Sequence, residues 1–254
     1  MRRIAVSNQK GGSAKTTTAV NLAAALAENG RKVLVLDLDP QGSSSSWLGM
    51  AGRPSGAYEL LAESGPAVDL VQTTAFNDIA VIPATPALHN AERTLAREIG
   101  AEMVLQRRLA GLGGNWDYLL IDTPPTLGML TLNALAAADE LIAPVEAHVM
   151  ALAGVAQLME TMRMVRERLN PGLRLAGILA CRVDSRTRHS LDVVASMRKT
   201  FGSDVYNTVI RENVRLAEAP SFHMPITRYD SQSAGAADYR AAAAEVMAQE
   251  GSAR

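Results

Sequence analysis

The chain has 254 residues, of which 48% are hydrophobic, 20% charged and 4% aromatic, and its formal net charge is −1. This size and composition predict one soluble domain over residues 1–254, and the overall charge gives no reason to expect a nucleic-acid partner, so any basic surface must be local. The single cysteine, Cys181, excludes an internal disulfide, and it cannot hold a zinc ion or an iron–sulfur cluster alone.

Apolar, β-branched runs alternate with helical stretches along the chain. In chain order we predict strand 3–7, helix 15–28, strands 32–37 and 79–83, helices 88–99 and 102–112, strand 118–122, helix 127–137, strand 141–145, helix 151–169, strand 175–182, helix 188–201, strand 205–210 and helix 236–249. The strands are nearly continuous apolar runs, as expected where both faces of a parallel sheet are buried. This order predicts a doubly wound, mostly parallel α/β sheet with helices on both faces, which binds ligands at the carboxyl ends of its strands.

The loop after the first predicted strand has the composition of a phosphate-binding loop. Residues 8–17 read NQKGGSAKTT and lead directly into a helix. Glycines let backbone N–H groups approach phosphate oxygens, and the helix N-terminus adds unpaired N–H groups and a positive dipole end. The strict pattern G-x-x-x-x-G-K-[ST] is not met, because Gln9 and Ala14 stand where it requires glycine. On the loop alone, phosphate binding competes with a plain Gly-Gly turn into an alanine-rich helix.

Acidic residues follow two of the predicted strands. Asp37 and Asp39 lie at the end of strand 32–37, and Asp122 ends strand 118–122. An aspartate in that position beside a phosphate loop holds magnesium, usually through water, although any one of them could instead form a turn or a helix cap. The serine run 43–46 that follows is typical either of a flexible surface loop or of a mobile switch beside a nucleotide.

At these residues the sequence resembles the ParA/Soj family of partition ATPases, which belongs to the deviant Walker-A class of P-loop NTPases together with MinD and the nitrogenase iron protein. The family's loop reads KGGxGKTT, and residues 10–17 here read KGGSAKTT. Residues 37–42 (DLDPQG) resemble the second motif, and residues 121–125 (IDTPP) resemble the Walker B segment. Residues 81–86, 184–187 and 213–221 also fit the family, so the resemblance spans nearly the whole chain.

The resemblance implies a role for each matching position. It implies that ATP is bound by Lys10, Gly11, Gly12, Ser13, Ala14, Lys15, Thr16 and Thr17, that Mg²⁺ is held by Thr16 and Asp122, and that Lys10, Lys15 and Asp39 are catalytic. Lys10 would reach across an ATP-bound homodimer to the partner's phosphates, and Asp39 would position the attacking water. Gly12 would have to stay small because the two subunits meet there. Asn213 is a candidate for contact with adenine.

Ala14 departs from the family's glycine. A methyl group is harmless there if the residue has a negative φ. We therefore expect ATP binding to survive, and we expect Ala14→Gly to change the affinity only modestly.

Arginines concentrate in the C-terminal half of the chain, where they either line solvated helix faces or form a phosphate-contacting patch. The resemblance implies that an ATP dimer binds double-stranded DNA without sequence preference, with Arg186 and Arg215 in the segments that carry this role. Glu212 stands where many relatives have arginine. The resemblance also implies a ParB-like centromere-binding partner and a cytoplasmic, nucleoid-associated location.

The alternative is a MinD-like positioning ATPase that acts on a membrane or a protein cargo. Such a protein should end in a basic amphipathic helix, whereas residues 241–254 are alanine-rich and lack bulky apolar anchors, so no membrane partner is expected. A nitrogenase-type reductase needs cluster-ligating cysteines that this chain does not have. Cys181 is expected to be a buried strand residue and not a nucleophile.

Overall fold

The computed structural model describes residues 1–63, 65–113, 115–148 and 151–251. Its strands are β1 Arg2–Val6, β2 Val33–Asp37, β3 Gln72–Thr73, β4 Ile79–Ile82, β5 Tyr118–Asp122, β6 Glu140–Glu146, β7 Arg174–Val183 and β8 Val205–Arg211. Its α-helices are α1 Lys15–Glu28, α2 Ser43–Trp47, α3 Ala57–Ala62, α4 Ala91–Leu95, α5 Val104–Ala110, α6 Met129–Ala137, α7 Ala151–Arg168, α8 Arg188–Phe201, α9 Val214–Glu218, α10 Ile226–Tyr229 and α11 Ala234–Ala248. None of the described helices has the length and hydropathy needed to cross a bilayer.

The described strands form one sheet in the order β3-β4-β2-β5-β1-β6-β7-β8. Neighbouring strands are parallel except at the edge, where β3 pairs antiparallel with β4. The central strands β2 and β5 are buried along their whole length, which is why they consist of continuous apolar runs. The prediction of a doubly wound, mostly parallel sheet is confirmed.

Helices cover both faces of the sheet. Alternate residues of a strand enter different cores: Val33 and Val35 pack with α1 and α11, whereas Leu34 and Leu36 pack with α3, α4, α5 and α6. A third cluster continues from α6 to α7 and α8 over β6 and β7. With the central strands covered on both faces, the loops at their carboxyl ends have a rigid base.

The region between β4 and β5 differs from the prediction. The helix predicted over residues 88–99 is wrong in extent, because Pro86–Asn90 form a 3₁₀ turn and α4 covers only Ala91–Leu95. Gly100, with a φ of 67°, then interrupts the helical path, and a second 3₁₀ turn, Ala101–Met103, precedes α5. The described part of the tail ends at residue 251, and residues 252–254 lie outside it.

Several short elements were not predicted. They are α2, α3, α9, α10 and β3, none longer than six residues and therefore too short to establish a period. Local hydrogen bonds define some of them: the Glu59 carboxylate accepts the Gly56 N–H at 2.7 Å at the start of α3. The serine run is thus not an irregular loop but the short helix α2.

Candidate active site

The carboxyl ends of β1, β2, β5, β7 and β8 surround a cleft of about 1010 Å³. The loop between β1 and α1 forms one wall, Asp39 and Pro125 lie beside it, and the segments after β7 and β8 form the opposite wall. A cleft of this size at the carboxyl edge of a parallel sheet is where α/β folds bind nucleotide-sized ligands.

The loop before α1 has the backbone of an anion-binding loop. Gly12 and Ala14 have φ angles of 76° and 69°, so left-handed residues flank Ser13 and gather successive N–H groups in one concavity. No side chain caps the start of α1 at Lys15, which leaves the N–H groups of its first turn without intrahelical acceptors. The Ser13 hydroxyl is buried and has no hydrogen-bond partner. A polyphosphate would satisfy all of these donors.

The backbone at Ala14 does not meet the condition under which its methyl group is harmless. Its φ of 69° and ψ of 28° place it in the left-handed region, where a methyl group is not harmless. There the Cβ of an L-residue crowds the neighbouring carbonyl oxygen, at a cost of about 1–2 kcal/mol relative to glycine. The same methyl group packs against the core beneath α1, which offsets part of that cost.

We expect Ala14→Gly to raise the free energy of unfolding by about 1 kcal/mol, because glycine removes this backbone strain. The ATP affinity should change only modestly, since the loop's N–H groups remain in place. Urea unfolding and an ATP titration measure the two effects. In the matched control, Ala27→Gly inside α1 should lower the free energy of unfolding by about 1 kcal/mol. If Ala14→Gly also lowered it, the loop would be unstrained.

Lys15 lies at the bottom of the loop with only 7% of its surface exposed. Its Nζ is 3.4 Å from the Lys10 carbonyl oxygen. Burial lowers the pKa of Lys15, while the charges of Asp122 and Asp39 act in the opposite direction. An ammonium group held in a low-dielectric cleft attracts an anion more strongly than one in water.

Asp122 and Asp37 lie side by side at the ends of β5 and β2, and both are fully buried. Oδ2 of Asp122 accepts hydrogen bonds from the hydroxyls of Thr16 at 2.8 Å and Ser44 at 2.6 Å. Its Oδ1 is buried without a partner. Burial raises the pKa of Asp122 to about 6, against the lowering effect of the hydroxyls. The unused oxygen is free to accept from a metal-bound water.

Asp37 differs from Asp122 because both of its oxygens are used within the protein. Oδ2 accepts from the N–H and the hydroxyl of Ser45 at 2.8 and 2.6 Å, and Oδ1 accepts from the Asp39 N–H at 3.1 Å. Burial raises the pKa of Asp37 to about 7, and the charge of Asp122 raises it further. Asp37 therefore holds α2 against the sheet, whereas Asp122 keeps one oxygen open to a ligand. The sequence does not show this difference between the two carboxylates.

Asp39 and Lys10 stand at the rim of the loop. Asp39 is 9% exposed, lines the cleft, and accepts the Gln41 N–H through Oδ1 at 3.0 Å. Lys10 is half-exposed, and its Nζ is 3.5 Å from Oε2 of Glu146. The structure thus places Lys10, Lys15, Thr16, Asp39 and Asp122 around one edge of the sheet. A Cβ at Gly12 would meet nothing within 4 Å in this subunit, so only its φ restricts that position here.

The far wall of the cleft contains Asn213. Its Oδ1 accepts the Leu216 N–H at 3.0 Å and caps α9, so this carbonyl oxygen is already engaged. Arg182 lines the same wall with a φ of 53°, a rare conformation for arginine. Sequence reasoning did not place Arg182 or Glu146 at this site, because neither lies in a recognisable motif. Ser44 belongs to the serine run 43–46, for which a switch beside the nucleotide was one of the two predictions.

The two arginines predicted to contact DNA are both paired with nearby carboxylates. Arg186 bonds Asp184 at 2.9 and 3.1 Å, and its side chain is 84% exposed. Arg215 contacts Glu218 at 3.0 Å and Asp230 at 3.6 Å. Arg186 lines the cleft, whereas Arg215 is an exposed residue of α9. Each carboxylate offsets part of the positive charge that a phosphate backbone would meet.

The oxygen atoms of Thr16 and Asp122 suit a magnesium ion bound together with a nucleotide. Among the described residues there is no cluster of three or more His, Cys, Asp or Glu that could hold a metal ion. Magnesium does not need such a cluster, because it binds through one or two protein oxygens and completes its shell with phosphate oxygens and water. The Thr16 hydroxyl could bind the ion directly, and the open oxygen of Asp122 could accept from one of its waters.

The chain is similar to known proteins in both sequence and fold. A family described as AAA domain matches residues 1–175. The chain is 44% identical over 247 residues to the sporulation initiation inhibitor protein Soj of Bacillus subtilis, covering 96% of this chain and 98% of that protein. It is 49% identical over 248 residues to the chromosome-partitioning ATPase Soj of Thermus thermophilus, covering 98% and 96%. The solved structure of cobyrinic acid a,c-diamide synthase from Mycobacterium smegmatis with an ATP analog and magnesium superposes with a TM-score of 0.87 at 36% identity, covering 100% of this chain and 97% of that one.

Proposed function

Because the chain belongs to the ParA/Soj family of chromosome-partitioning ATPases, we propose that it is a dimerising ATP switch that binds DNA and drives chromosome or plasmid partition. One observation supports the binding of ATP with magnesium. Oδ2 of Asp122 accepts a hydrogen bond from Thr16, the second residue of the helix after the phosphate loop, while Oδ1 of the same carboxylate is buried without a partner. The cofactor is Mg²⁺, and the reaction is hydrolysis of ATP to ADP and phosphate.

In this proposal the phosphate loop binds and orients ATP. The N–H groups of Gly11 to Thr17 surround the phosphates, and Lys15 faces the β- and γ-phosphates with its desolvated charge. Thr16 and Asp122 hold magnesium, the carboxylate through water. When bound, magnesium neutralises the charge that develops on the transferring phosphoryl group. Asn213 lines the wall that is left for the adenine.

Two further residues complete the chemistry. Asp39 lines the cleft and orients the attacking water. Lys10 is exposed enough to reach beyond its own subunit, and in an ATP homodimer it would contact the partner's phosphates, as an arginine finger supplied in trans does. Hydrolysis would then require dimerisation, so the lifetime of the dimer would set how long the switch stays in its ATP-bound state.

The proposed target of the dimer is double-stranded DNA, bound without sequence preference through Arg186 and Arg215. Both are exposed, and joining two subunits doubles the number of cations that face the phosphate backbone. A ParB-like protein would stimulate hydrolysis, and the location would be cytoplasmic and nucleoid-associated.

DNA binding tests this proposal directly. The wild-type protein should bind a random-sequence duplex with ATP but not with ADP or without nucleotide, and the affinity should fall steeply with salt. Charge reversal at both positions, Arg186→Glu with Arg215→Glu, should lower the DNA affinity by at least about tenfold, because two phosphate contacts become repulsive. Fluorescence anisotropy of a labelled duplex measures this affinity.

A matched control is Arg163→Glu on α7, an exposed arginine paired with Glu160 and Glu167, which should leave DNA binding unchanged. ATP affinity should be the same in all three proteins. If the double variant binds DNA like the wild type, Arg186 and Arg215 are not in the interface. If no nucleotide state binds DNA while ATP affinity is intact, the switch acts on a membrane or protein cargo, as MinD-like positioning ATPases do.

The synthase named among the solved structures suggests a second chemistry, which the site does not favour. Its identity to this chain is 36%, below the 44% and 49% of the two Soj proteins. The only cysteine, Cys181, is fully buried, and burial raises the pKa of its thiol to about 12. At neutral pH this thiol is protonated and is no nucleophile for amide transfer.

A further inference from the structure

Glu146, the last residue of β6, contacts two cations at the rim of the cleft. Lys10 Nζ is 3.5 Å from its Oε2, and Arg182 Nη1 is 3.6 Å from its Oε1. Glu146 pairs in register with Cys181 of β7, which places it at the carboxyl edge of the sheet beside the phosphate loop. One carboxylate is therefore shared between the lysine of the loop and an arginine of the opposite wall.

The backbone of Lys10 is fixed, whereas its side chain is held only weakly. The Lys10 N–H donates to Oδ1 of Asn8 at 3.0 Å, and Asn8 Nδ2 donates to the Pro144 carbonyl at 2.8 Å, which ties the loop to β6. The Lys10 side chain is 46% exposed and touches Glu146 only at the limit of hydrogen-bond distance. An ion pair of this kind is weak and reversible. The ammonium group can therefore leave Glu146 without any change in the backbone of the loop.

Arg182 contacts the same carboxylate, that of Glu146, and competes with Lys10 for it. It has a φ of 53° and lies in an irregularity in the pairing of β7 with β8, between Ala180 and Val183. Its side chain is 56% exposed and lines the cleft. A cation that shares Glu146 with Lys10 repels the lysine and weakens its hold on the carboxylate.

We propose that Glu146 is a positioning residue that holds the Lys10 side chain on its own subunit and thereby sets the protein concentration at which ATP-bound subunits dimerise. The inference rests on the proposed function, in which Lys10 acts across the dimer. In the resting subunit, the ammonium group stays over Glu146. When a second ATP-bound subunit approaches, its phosphates attract the ammonium group more strongly, and the ion pair with Glu146 breaks in both subunits.

The test is Glu146→Gln, which keeps the shape of the side chain and removes its charge. With a non-hydrolysable ATP analogue and magnesium, sedimentation equilibrium should show the dimer dissociation constant falling by about two- to thirtyfold, because two exposed ion pairs no longer oppose association. The protein concentration that gives half-maximal ATP turnover should fall by a similar factor. The affinity of a single subunit for ATP should change by less than about twofold, because Glu146 does not line the nucleotide cleft.

Arg182→Gln should have the opposite effect. With its competitor removed, Lys10 is held more tightly by Glu146, and the dimer dissociation constant should rise by about two- to fivefold. The control is Glu160→Gln, which breaks an exposed ion pair with Arg163 on α7 and should leave dimerisation unchanged. Opposite shifts from Glu146→Gln and Arg182→Gln cannot come from a loss of stability alone.

Two outcomes would overturn the inference in distinguishable ways. If the wild type dimerises with the analogue but Glu146→Gln changes only Tm, then Glu146 is a structural ion-pair partner and the inference is wrong while the proposed function stands. If the wild type itself remains monomeric at every concentration with saturating analogue, the dimerising switch fails and the inference fails with it.

Discussion

Replacing Lys15 with methionine is expected to weaken ATP binding by at least about 30-fold, the effect of losing about 2 kcal/mol or more from a buried charged contact. Lys15 is 7% exposed at the start of α1, and burial lowers its pKa because there is little water to solvate the ammonium group. That desolvation has already occurred when a phosphate arrives, so the charge acts at close to full strength. Methionine keeps the apolar stem and removes only the charge.

Isothermal titration with a non-hydrolysable ATP analogue and magnesium measures this loss. The matched control is Lys199→Met on the exposed face of α8, which removes the same charge far from the cleft and should bind like the wild type. Both variants should remain folded by circular dichroism. An affinity within a few-fold of the wild type for Lys15→Met would mean that the phosphates bind elsewhere.

Asp122→Asn is expected to abolish magnesium-dependent hydrolysis and at the same time to stabilise the ligand-free protein. The carboxylate is fully buried beside Asp37, and burial raises its pKa to about 6. A carboxyl group with a higher pKa in the folded state binds more protons when folded, so its contribution to stability falls as pH rises from about 4 through about 6. At pH 8 the neutral asparagine should therefore raise the free energy of unfolding by about 1–3 kcal/mol. The amide oxygen can still accept from Thr16 and Ser44.

Urea unfolding at pH 8 and at pH 4 without nucleotide tests the sign. The increase in the free energy of unfolding should be present at pH 8 and disappear at pH 4, where the carboxyl group of Asp122 in the folded wild type is itself neutral. Turnover should fall by at least about 100-fold, since an amide cannot supply the charge that holds the magnesium shell. Asp192→Asn on exposed α8 is the control, with neither effect. A variant less stable than the wild type at pH 8 would show that the carboxylate is not strained by burial.

The longer helices and strands were the ones that could be predicted. Strand β5 and helices α1 and α8 were predicted with the bounds that the structure has. A strand buried on both faces leaves a continuous apolar run, α8 leaves an amphipathic pattern, and α1 follows directly from the phosphate loop. The short helices and the edge strand β3 leave no such pattern. The positions of these short elements depend on a few specific side-chain contacts between residues far apart in the chain, such as the bond between Ser44 and Asp122.

The site was predictable in its composition but not in its division of roles. The motifs predicted that Lys15, Thr16 and Asp122 lie together, because the carboxyl ends of parallel strands lie at the same edge of the sheet. The sequence does not show which of the two aspartates keeps an oxygen without a partner. It also does not show that Ala14 adopts the left-handed conformation, because both properties depend on the tertiary structure. By contrast, the pairing of Arg215 with Glu218 follows from their spacing on one helix turn and could have been anticipated.

The packing of α2 gives the protein an optical property. Trp47 lies three residues after Ser44, is 4% exposed, and donates its indole Nε1–H to the Met224 carbonyl at 2.7 Å. The other tryptophan, Trp116, packs against the core on the opposite face of the sheet. Indole emission depends on the polarity and the hydrogen bonding around the ring. The chain therefore carries its own fluorescent probe in the segment that bonds Asp122, and a displacement of α2 can be followed in solution without attaching a dye.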